Sequence, residues 1–311
     1  MSKPKVVIII LQYNNSQDTI RCLNSVKELD YPNYNILVVD NASSLHYLNS
    51  TRLFIENEKK GKPATYGSTD SPSKDYSLLT THYNSGYAGG NNLGIKKALK
   101  NGADYFFILN PDTTVEKNSL TNLVEVGESD PQIGILGPKI NEGNRTIYGG
   151  KIEWLKPKLQ HSELPTTNYQ LPTTFYIPGA AMLIKKEVIK KIGLLDERYF
   201  LYFEDADYCV LARKADYELV IVPEARVDHA VSTSTNQLGS ALLLRYHFRN
   251  AHLFNLKNGP WYVKLALPFW SFFIIIKQLI KLALGRNTQI SKAILSGVLD
   301  FYKNNLGKIE T

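Results

Sequence analysis

Three short runs of uninterrupted apolar residues set the limits on this chain: VVIIIL at 6–11, ILVV at 36–39 and YFFIL at 105–109. A strand that alternates apolar and polar residues can keep one face in water, but a strand apolar throughout has to be covered on both faces. Between the runs lie segments with helical spacing. Ser16 is placed to cap a helix whose Ile20, Leu23, Val26 and Leu29 recur every three or four residues, and Tyr31, Pro32 and Asn33 break it. A short third strand is expected at 76–80, before a helix that runs through Leu93, Ile95, Ala98 and Leu99 to about Lys100. Strand and helix alternating in this way predict an α/β fold with a mainly parallel central sheet flanked by helices. Ligands of such sheets bind at the carboxyl ends of the strands. Asp40, the glycine-rich stretch at 86–94 and Asp112 all fall there.

The second half is less regular. A strand is expected at 180–184, then a helix to Ile192 and a turn at Gly193. The aromatic segment YFLYF at 199–203 precedes Glu204, Asp205 and Asp207, which open another helix. Residues 218–222 are strand-like, with His229 beyond them. Residues 56–75 are polar, with Gly, Pro, Ser and Lys throughout, and read as a surface excursion. Hydrophobic residues make up 43% and charged residues 21%, which supports a packed core and excludes wholesale disorder. Cys22 and Cys209 have no metal-ligand spacing and fit small core side chains in a reducing compartment. The basic start leads into an apolar run that ends at Gln12, Tyr13 and Asn14 without a small-residue cleavage site. It reads as a buried strand rather than a signal peptide, and a cytoplasmic protein is expected.

The net charge of +7 is unevenly placed. Residues 241–311 carry 10 Lys/Arg against 2 Asp/Glu, leaving 26 against 27 for residues 1–240. This basic, hydrophobic and helical C-terminal segment lacks any RNP-type motif, so no nucleic acid is expected as a partner. It contains LALPFWSFFIII at 265–276, with one serine and no charge. That run is short of the ~20 apolar residues of a spanning helix, and Pro268 is expected to interrupt it. With Lys264 and Lys277 on either side, the expectation is docking on an anionic membrane surface, peripheral on the inner face of the cell membrane, without crossing. The alternative is a helix packed on the catalytic domain or at a dimer interface.

Several residues carry candidate chemistry, each with a plainer reading beside it. Asp112, in a turn shaped by Pro111, suits a hard divalent cation but is also an ordinary turn residue. The glycines at 86, 89, 90 and 94 do not match G-x-G-x-x-G, and Asp40 precedes them instead of following, which excludes a dinucleotide-binding fingerprint. The stretch can let backbone N–H groups approach a nucleotide, or it can be a plain turn. Glu204, Asp205 and Asp207 complement a helix dipole, yet a carboxylate against the preceding aromatics would be desolvated into a useful base. His229 alone reads equally as a core or surface histidine.

Taken together the motifs resemble family 2 glycosyltransferases of the GT-A fold, and especially their bacterial rhamnosyltransferase-like branch. The matching stretches are VVIIILQYNN, YPNYNILVVDNAS, NSGYAGGNNLGIKKAL, DYFFILNPDT, the long run from PGAAMLIKK to PEARVDH, and RYHFRN, in family order from residue 6 to about 250. The resemblance implies a catalytic domain at 1–240, with a nucleotide-binding half at about 1–115 and an acceptor and catalytic half at about 116–240, followed by a helical extension at 241–311. It implies that Asp40 holds the nucleobase, and that Tyr13, Asn84, Gly90, Asn91 and Asn110 contribute to the nucleotide sugar. Asn110, Pro111 and Asp112 match the D-x-D motif, with Asp112 the metal-binding member and Asn110 a departure from the acidic form. His229 matches a further metal ligand of some relatives, and Asp205 the catalytic base. Glu204, Asp207 and Arg249 fall on the acceptor side or support it. The implied activity is inverting transfer, with Mg²⁺ or Mn²⁺, from a nucleotide-diphosphate sugar (dTDP-rhamnose in this branch) to a glycan or lipid-linked glycan in bacterial surface polysaccharide synthesis. The alternative is an inactive nucleotide- or sugar-binding module on the same fold.

Overall fold

A computed structural model describes residues 3–60, 75–154, 158–163, 175–230 and 240–310. The first half threads β1 (Val6–Gln12), α1 (Ser16–Val26), β2 (Tyr34–Asp40), α2 (Leu45–Lys60), β3 (Tyr76–Thr80), α3 (Gly86–Lys100) and β4 (Tyr105–Leu109). The four strands are parallel in the order β3-β2-β1-β4. Successive residues of β1 enter two separate cores. Val7 and Ile9 pack with Ala88, Ile95 and Ala98 of α3, while Val6, Ile8 and Ile10 pack with Cys22, Leu23 and Val26 of α1. A polar residue anywhere in the run would be buried without a partner, which is why the run is continuous.

Two local expectations shift. The cap of α1 is Asn15, whose side-chain oxygen accepts the Asp18 N–H at 3.2 Å, and Ser16 is the first helical residue. The polar stretch expected as an excursion from 56 starts later, because 56–60 still belong to α2; its remainder at 61–74 lies outside the described residues.

The second half continues with β5 (Thr113–Val115), α4 (Ser119–Ser129), β6 (Ile133–Glu142), β7 (Arg145–Ile147), β8 (Gly150–Glu153), β9 (Lys158–His161), β10 (Phe175–Tyr176), β11 (Ala181–Lys185), α5 (Lys186–Ile192), α6 (Glu204–Lys214) and β12 (Glu218–His229). The large sheet runs on as β4-β11-β6-β12-β5, with β11 antiparallel to both of its neighbours. The unbroken parallel order belongs to the first half, parallel pairing recurs between β6 and β12, and the sheet as a whole is mixed. Strands β10, β8 and β9 form a separate small sheet. The strand expected to end at Val222 passes Pro223 through a register shift between Val222 and Arg226 and reaches His229.

Three helices follow among the described residues: α7 (Ser240–Asn258), α8 (Trp261–Ala283) and α9 (Thr288–Tyr302). Pro268 does not interrupt α8, which is continuous over 23 residues. The proline removes one N–H, and the carbonyl it frees, that of Lys264, lies on an exposed stretch where water can serve it. Among the described residues α8 is the one helix long and apolar enough to cross a membrane.

Candidate active site

At the end of β2, pairing of Gln12 with Asp40 places the two side chains together. Gln12 Nε2 donates to Asp40 Oδ2 at 2.8 Å, and the Ser43 N–H donates to Oδ1 at 3.0 Å. Asp40 is 1% exposed, with both oxygens engaged in its own turn. Next to it Asn41, which the sequence did not single out, ties β2 to the start of α3. Its amide donates to Asn84 Oδ1 and to the Gly86 carbonyl, both at 3.0 Å, and its oxygen accepts the Ser85 N–H at 3.0 Å. The glycine-rich stretch is helical from Gly86 onward and does not form an open loop. Its glycines let α3 lie close to β1: a Cβ on Gly90 would come within 2.3 Å of Leu11 Cδ1. Packing thus accounts for Gly90. Asn91 donates to the Tyr87 carbonyl at 3.0 Å, and its own oxygen is buried without a partner.

Beyond β4 the chain turns through Asn110 to Asp112. Pairing of β12 with β5 sets His229 opposite Thr113, so sheet register carries the imidazole to the aspartate. Asp112 is 3% exposed, and neither of its carboxylate oxygens has a hydrogen-bond partner. His229 Nε2 stands 3.2 Å from Asp112 Oδ1 without the alignment of a hydrogen bond. On its other side His229 Nδ1 meets Glu142 Oε1, at the end of β6, at 2.8 Å. Glu142 also faces His161 Nδ1 of β9 at 3.6 Å. The two histidines hold the Glu142 carboxyl well below the usual range. Burial pushes the His229 imidazole down, but the close approach of Asp112, the hydrogen bond with Glu142 and the charges of both carboxylates outweigh it and bring it to about 9. Buried oxygens left without donors are costly unless something else satisfies them. Asp112 and the Nε2 of His229 form a hard oxygen and imidazole donor pair suited to a divalent cation. Among the described residues no group of three or more His, Cys, Asp or Glu side chains is placed to hold an ion by itself, so such an ion would take its other ligands from substrate and water.

A cavity of about 340 Å³ reaches His229 of this pair, lined also by Asn110, Glu142, His161, Glu204 and Asp205 together with aromatic and backbone walls. Asp205 enters it from the first turn of α6. Its Oδ2 accepts the Gly179 N–H at 2.9 Å and its Oδ1 the Ala206 N–H at 2.7 Å, which fixes the plane of the carboxylate. A Cβ on Gly179 would meet Tyr87 Oη at 2.6 Å, so a larger residue here would push that ring aside. Burial raises the Asp205 pKa against the pull of these two amides. Burial and the neighbouring Asp205 charge raise Glu204 well above the ordinary range, and its Oε2 has no partner. A desolvated, oriented carboxylate in a cavity is what a general base requires.

The segment ahead of α6 is strained. Phe200, Tyr202 and Phe203 have φ of 63°, 72° and 76°, which bulky side chains rarely adopt. Residues of α7 hold it. Asn250 donates to the carbonyls of Tyr199 and Leu201 at 2.7 Å and of Tyr202 at 3.2 Å. Arg249, fully buried, donates to the Tyr199 carbonyl at 3.1 Å. Asp207 is also turned away from the cavity: it accepts from Tyr199 Oη at 3.0 Å, Lys257 Nζ at 2.7 Å and Asn258 Nδ2 at 2.6 Å. Arg249 and Asp207 are therefore supports.

Of the residues singled out in the sequence, the fold gathers Asn110, Glu204, Asp205 and His229 around one cavity, with Asp112 against His229. Tyr13, Asp40, Asn84, Gly90 and Asn91 stand apart from that cavity, at the ends of β1 and β2 and on and before α3. Glu142, His161, Asn41 and Asn250 were not foreseen. Asn250 and Asn41 had a local signal, their places in RYHFRN and YPNYNILVVDNAS; Glu142 and His161 had none, and they gain meaning only from each other and from His229, which sheet pairing brings to Glu142 from the far end of β12.

The curled, mixed α/β sheet, with a carboxylate–imidazole pair at its strand ends beside a gripped, desolvated aspartate, has the GT-A fold. Solved structures share that fold. A mannosyltransferase of Pyrobaculum calidifontis, in complex with GDP-Man and Mn²⁺, matches 97% of this chain and 88% of its own at a TM-score of 0.61 and 14% identity. GalNAc-T7 with UDP, GalNAc and Mn²⁺ matches 79% of this chain and 47% of its own at 0.59 and 17% identity. The chain belongs to glycosyl transferase family 2, whose model matches residues 7–193. It is similar to a low-salt glycan biosynthesis hexosyltransferase of Haloferax volcanii, 26% identical over 58% of this chain and 60% of the relative. It is likewise similar to the N-acetylglucosaminyl-diphospho-decaprenol L-rhamnosyltransferase of Mycobacterium tuberculosis, 26% identical over 51% and 57%. The chain thus spans about three fifths of the length of these two relatives. A dTDP-rhamnosyl transferase of Shigella flexneri is 22% identical over 81% of this chain and 80% of its own.

Proposed function

We propose that this family 2 glycosyltransferase is an inverting, divalent-metal-dependent enzyme that moves rhamnose from dTDP-rhamnose to a hydroxyl of a glycan or lipid-linked glycan. The observation that carries the reading is the shared cavity: Asp205, held by two backbone amides, opens on the same space as His229, which adjoins the unpartnered oxygens of Asp112. Two of the similar proteins are rhamnosyltransferases by name, which supports the sugar. Asp205 takes the proton of the acceptor hydroxyl as its oxygen bonds to C1 of the donor sugar. The C1–O bond to the diphosphate breaks on the opposite face, so the anomeric configuration inverts and the nucleoside diphosphate leaves with the bonding pair. Asp112 and His229 would hold Mg²⁺ or Mn²⁺, which supplies charge neutralisation for the departing diphosphate. Tyr13 and Asn84, at the strand ends, would take the nucleoside, and Asp40 would reach its base only by giving up a partner within its own turn.

The test is a panel of nucleotide sugars assayed for binding and for metal-dependent turnover, including hydrolysis without acceptor. The expected result is turnover of dTDP-rhamnose above UDP- and GDP-sugars, abolished by EDTA and restored by Mn²⁺ or Mg²⁺. Full activity after chelation would remove the metal from the mechanism. Tight binding without turnover of any sugar would leave a binding module.

A further inference from the structure

Helix α8 has two unlike sides. At about 3.6 residues per turn, Val263, Leu267, Ser271 and Gln278 share one side, and all four are buried. Trp261, Leu265, Phe269, Phe272, Phe273 and Ile276 share the other, and Trp261, Leu265, Phe269 and Phe273 are 74%, 65%, 71% and 69% exposed. Soluble monomers rarely expose so many large apolar side chains in one place. Lys264 and Lys277 flank the apolar side on its two borders, where long stems can lie along it and bring their ammonium groups to its edge. Farther along are Lys281, Arg286, Lys292 and Lys303. None of these six cations makes an ion pair among the described residues, whereas Arg245 is paired with Asp300 and Lys257 with Asp196 and Asp207.

We infer that the outward side of α8 is a docking surface for an anionic lipid bilayer, on which the helix lies parallel to the membrane without crossing it. The inference rests on this helix alone and is independent of the donor and metal assignments. Charge selects the occupant. A second copy of the chain docked by two-fold symmetry would bring the lysine borders of both helices together, while acidic headgroups complement them. The buried side excludes a span. Ser271 Oγ accepts from Tyr302 Oη at 2.8 Å and lies 3.1 Å from His252 Nε2, contacts that a helix surrounded by lipid would lose. Lys264 and Lys277 are separated by about 20 Å along the axis, well inside the ~30 Å of a hydrocarbon core, so a crossing would bury at least one ammonium. Lying flat, the helix sinks rings into the headgroup boundary and keeps both lysines at phosphate level.

Flotation of the full chain decides the matter, with vesicles of phosphatidylcholine alone and of equal parts phosphatidylcholine and phosphatidylglycerol. The wild type is expected to rise with the anionic vesicles and to be released by alkaline carbonate. Removing two cations with Lys264→Gln and Lys277→Gln should weaken partitioning roughly 30-fold. Phe269→Glu with Phe273→Glu should abolish flotation while leaving the melting temperature unchanged, because both rings are exposed. Wild type that stays unbound overturns the proposal; if it is also a dimer by light scattering, a second copy covers the face. Flotation that persists in both double variants places the lipid contact elsewhere, and resistance to carbonate means that the helix spans.

Discussion

Asp205 and Asp207 are two residues apart on one helix turn, yet their surroundings give them different work. Asp205 receives only backbone N–H groups and faces the cavity, so its carboxylate has room to accept a proton. Asp207 is saturated by Tyr199, Lys257 and Asn258. Asp205→Asn keeps the shape and loses the basicity. Transfer should fall by ~10²–10⁴-fold with donor affinity nearly unchanged, and a variant with wild-type kcat in a steady-state assay would remove Asp205 from the base role. Glu142 acts at one remove. Near neutral pH the ring carries both protons; when a cation displaces the one on Nε2, the anionic Glu142 carboxylate against Nδ1 keeps the other in place and leaves the Nε2 lone pair facing the ion beside Asp112. Glu142→Gln weakens that hold, and Mn²⁺ affinity read by electron paramagnetic resonance should drop ~10–100-fold without nucleotide present. Nitrogen-15 NMR of the metal-free His229 ring should report proton loss at lower pH in the same variant; an unaltered ring titration and metal affinity would reduce Glu142 to packing.

The strained aromatic segment and α7 depend on each other. One Asn250 amide serves three carbonyls of a backbone that would otherwise relax, and α6 with Asp205 starts immediately after it. Asn250→Ala leaves buried carbonyls unserved, a loss of about 1–3 kcal/mol. A lower melting temperature and a kcat reduced more than donor affinity are the expected readings; unchanged kcat would mean that the segment keeps its shape unaided. How far such elements could be read from sequence follows from where their partners lie. β1, β2 and β4 were legible because burial on both faces writes itself into a continuous apolar run. α2 was not, since only Thr51 and Ile55 of its sixteen residues are buried and no apolar stripe results. The full length of β12 was hidden by Pro223, which the strand passes at its register shift. Asp112, Asp205 and His229 were found as members of motifs, whereas Glu142 and His161 sit in unremarkable local sequence and gain meaning from sheet register alone. The glycines of α3 were misread as a loop because close helix–strand packing and a tight turn select the same residue.

At the scale of the molecule, the three C-terminal helices are joined around His252. It has no exposure, its Nδ1 donates to the Phe248 carbonyl at 2.6 Å, and its ring stacks on Trp270 at 4.6 Å, with Phe301 and Tyr302 alongside. Burial pushes its pKa from 6.5 down to about 4. The unfolded chain therefore takes up this proton before the folded one does, so stability is lost as pH falls from about 6.5 to about 4, by about 3 kcal/mol in all. Glu204 and Asp205, with raised values, act with the opposite sign in acid. The informative quantity is accordingly the difference between wild type and His252→Leu in urea titrations across that window: the wild type should lose stability faster, and parallel curves would contradict a neutral buried imidazole. The same helices bear on how such a protein can be divided. The charge balance changes near residue 240, where a boundary is easily drawn, but the hydrogen bonds that shape the approach to Asp205 start from Arg249 and Asn250, beyond it. A catalytic half taken from this chain and joined to another tail would arrive without its own latch. The surroundings of Asp205 and the C-terminal helices are in that sense inherited as one piece.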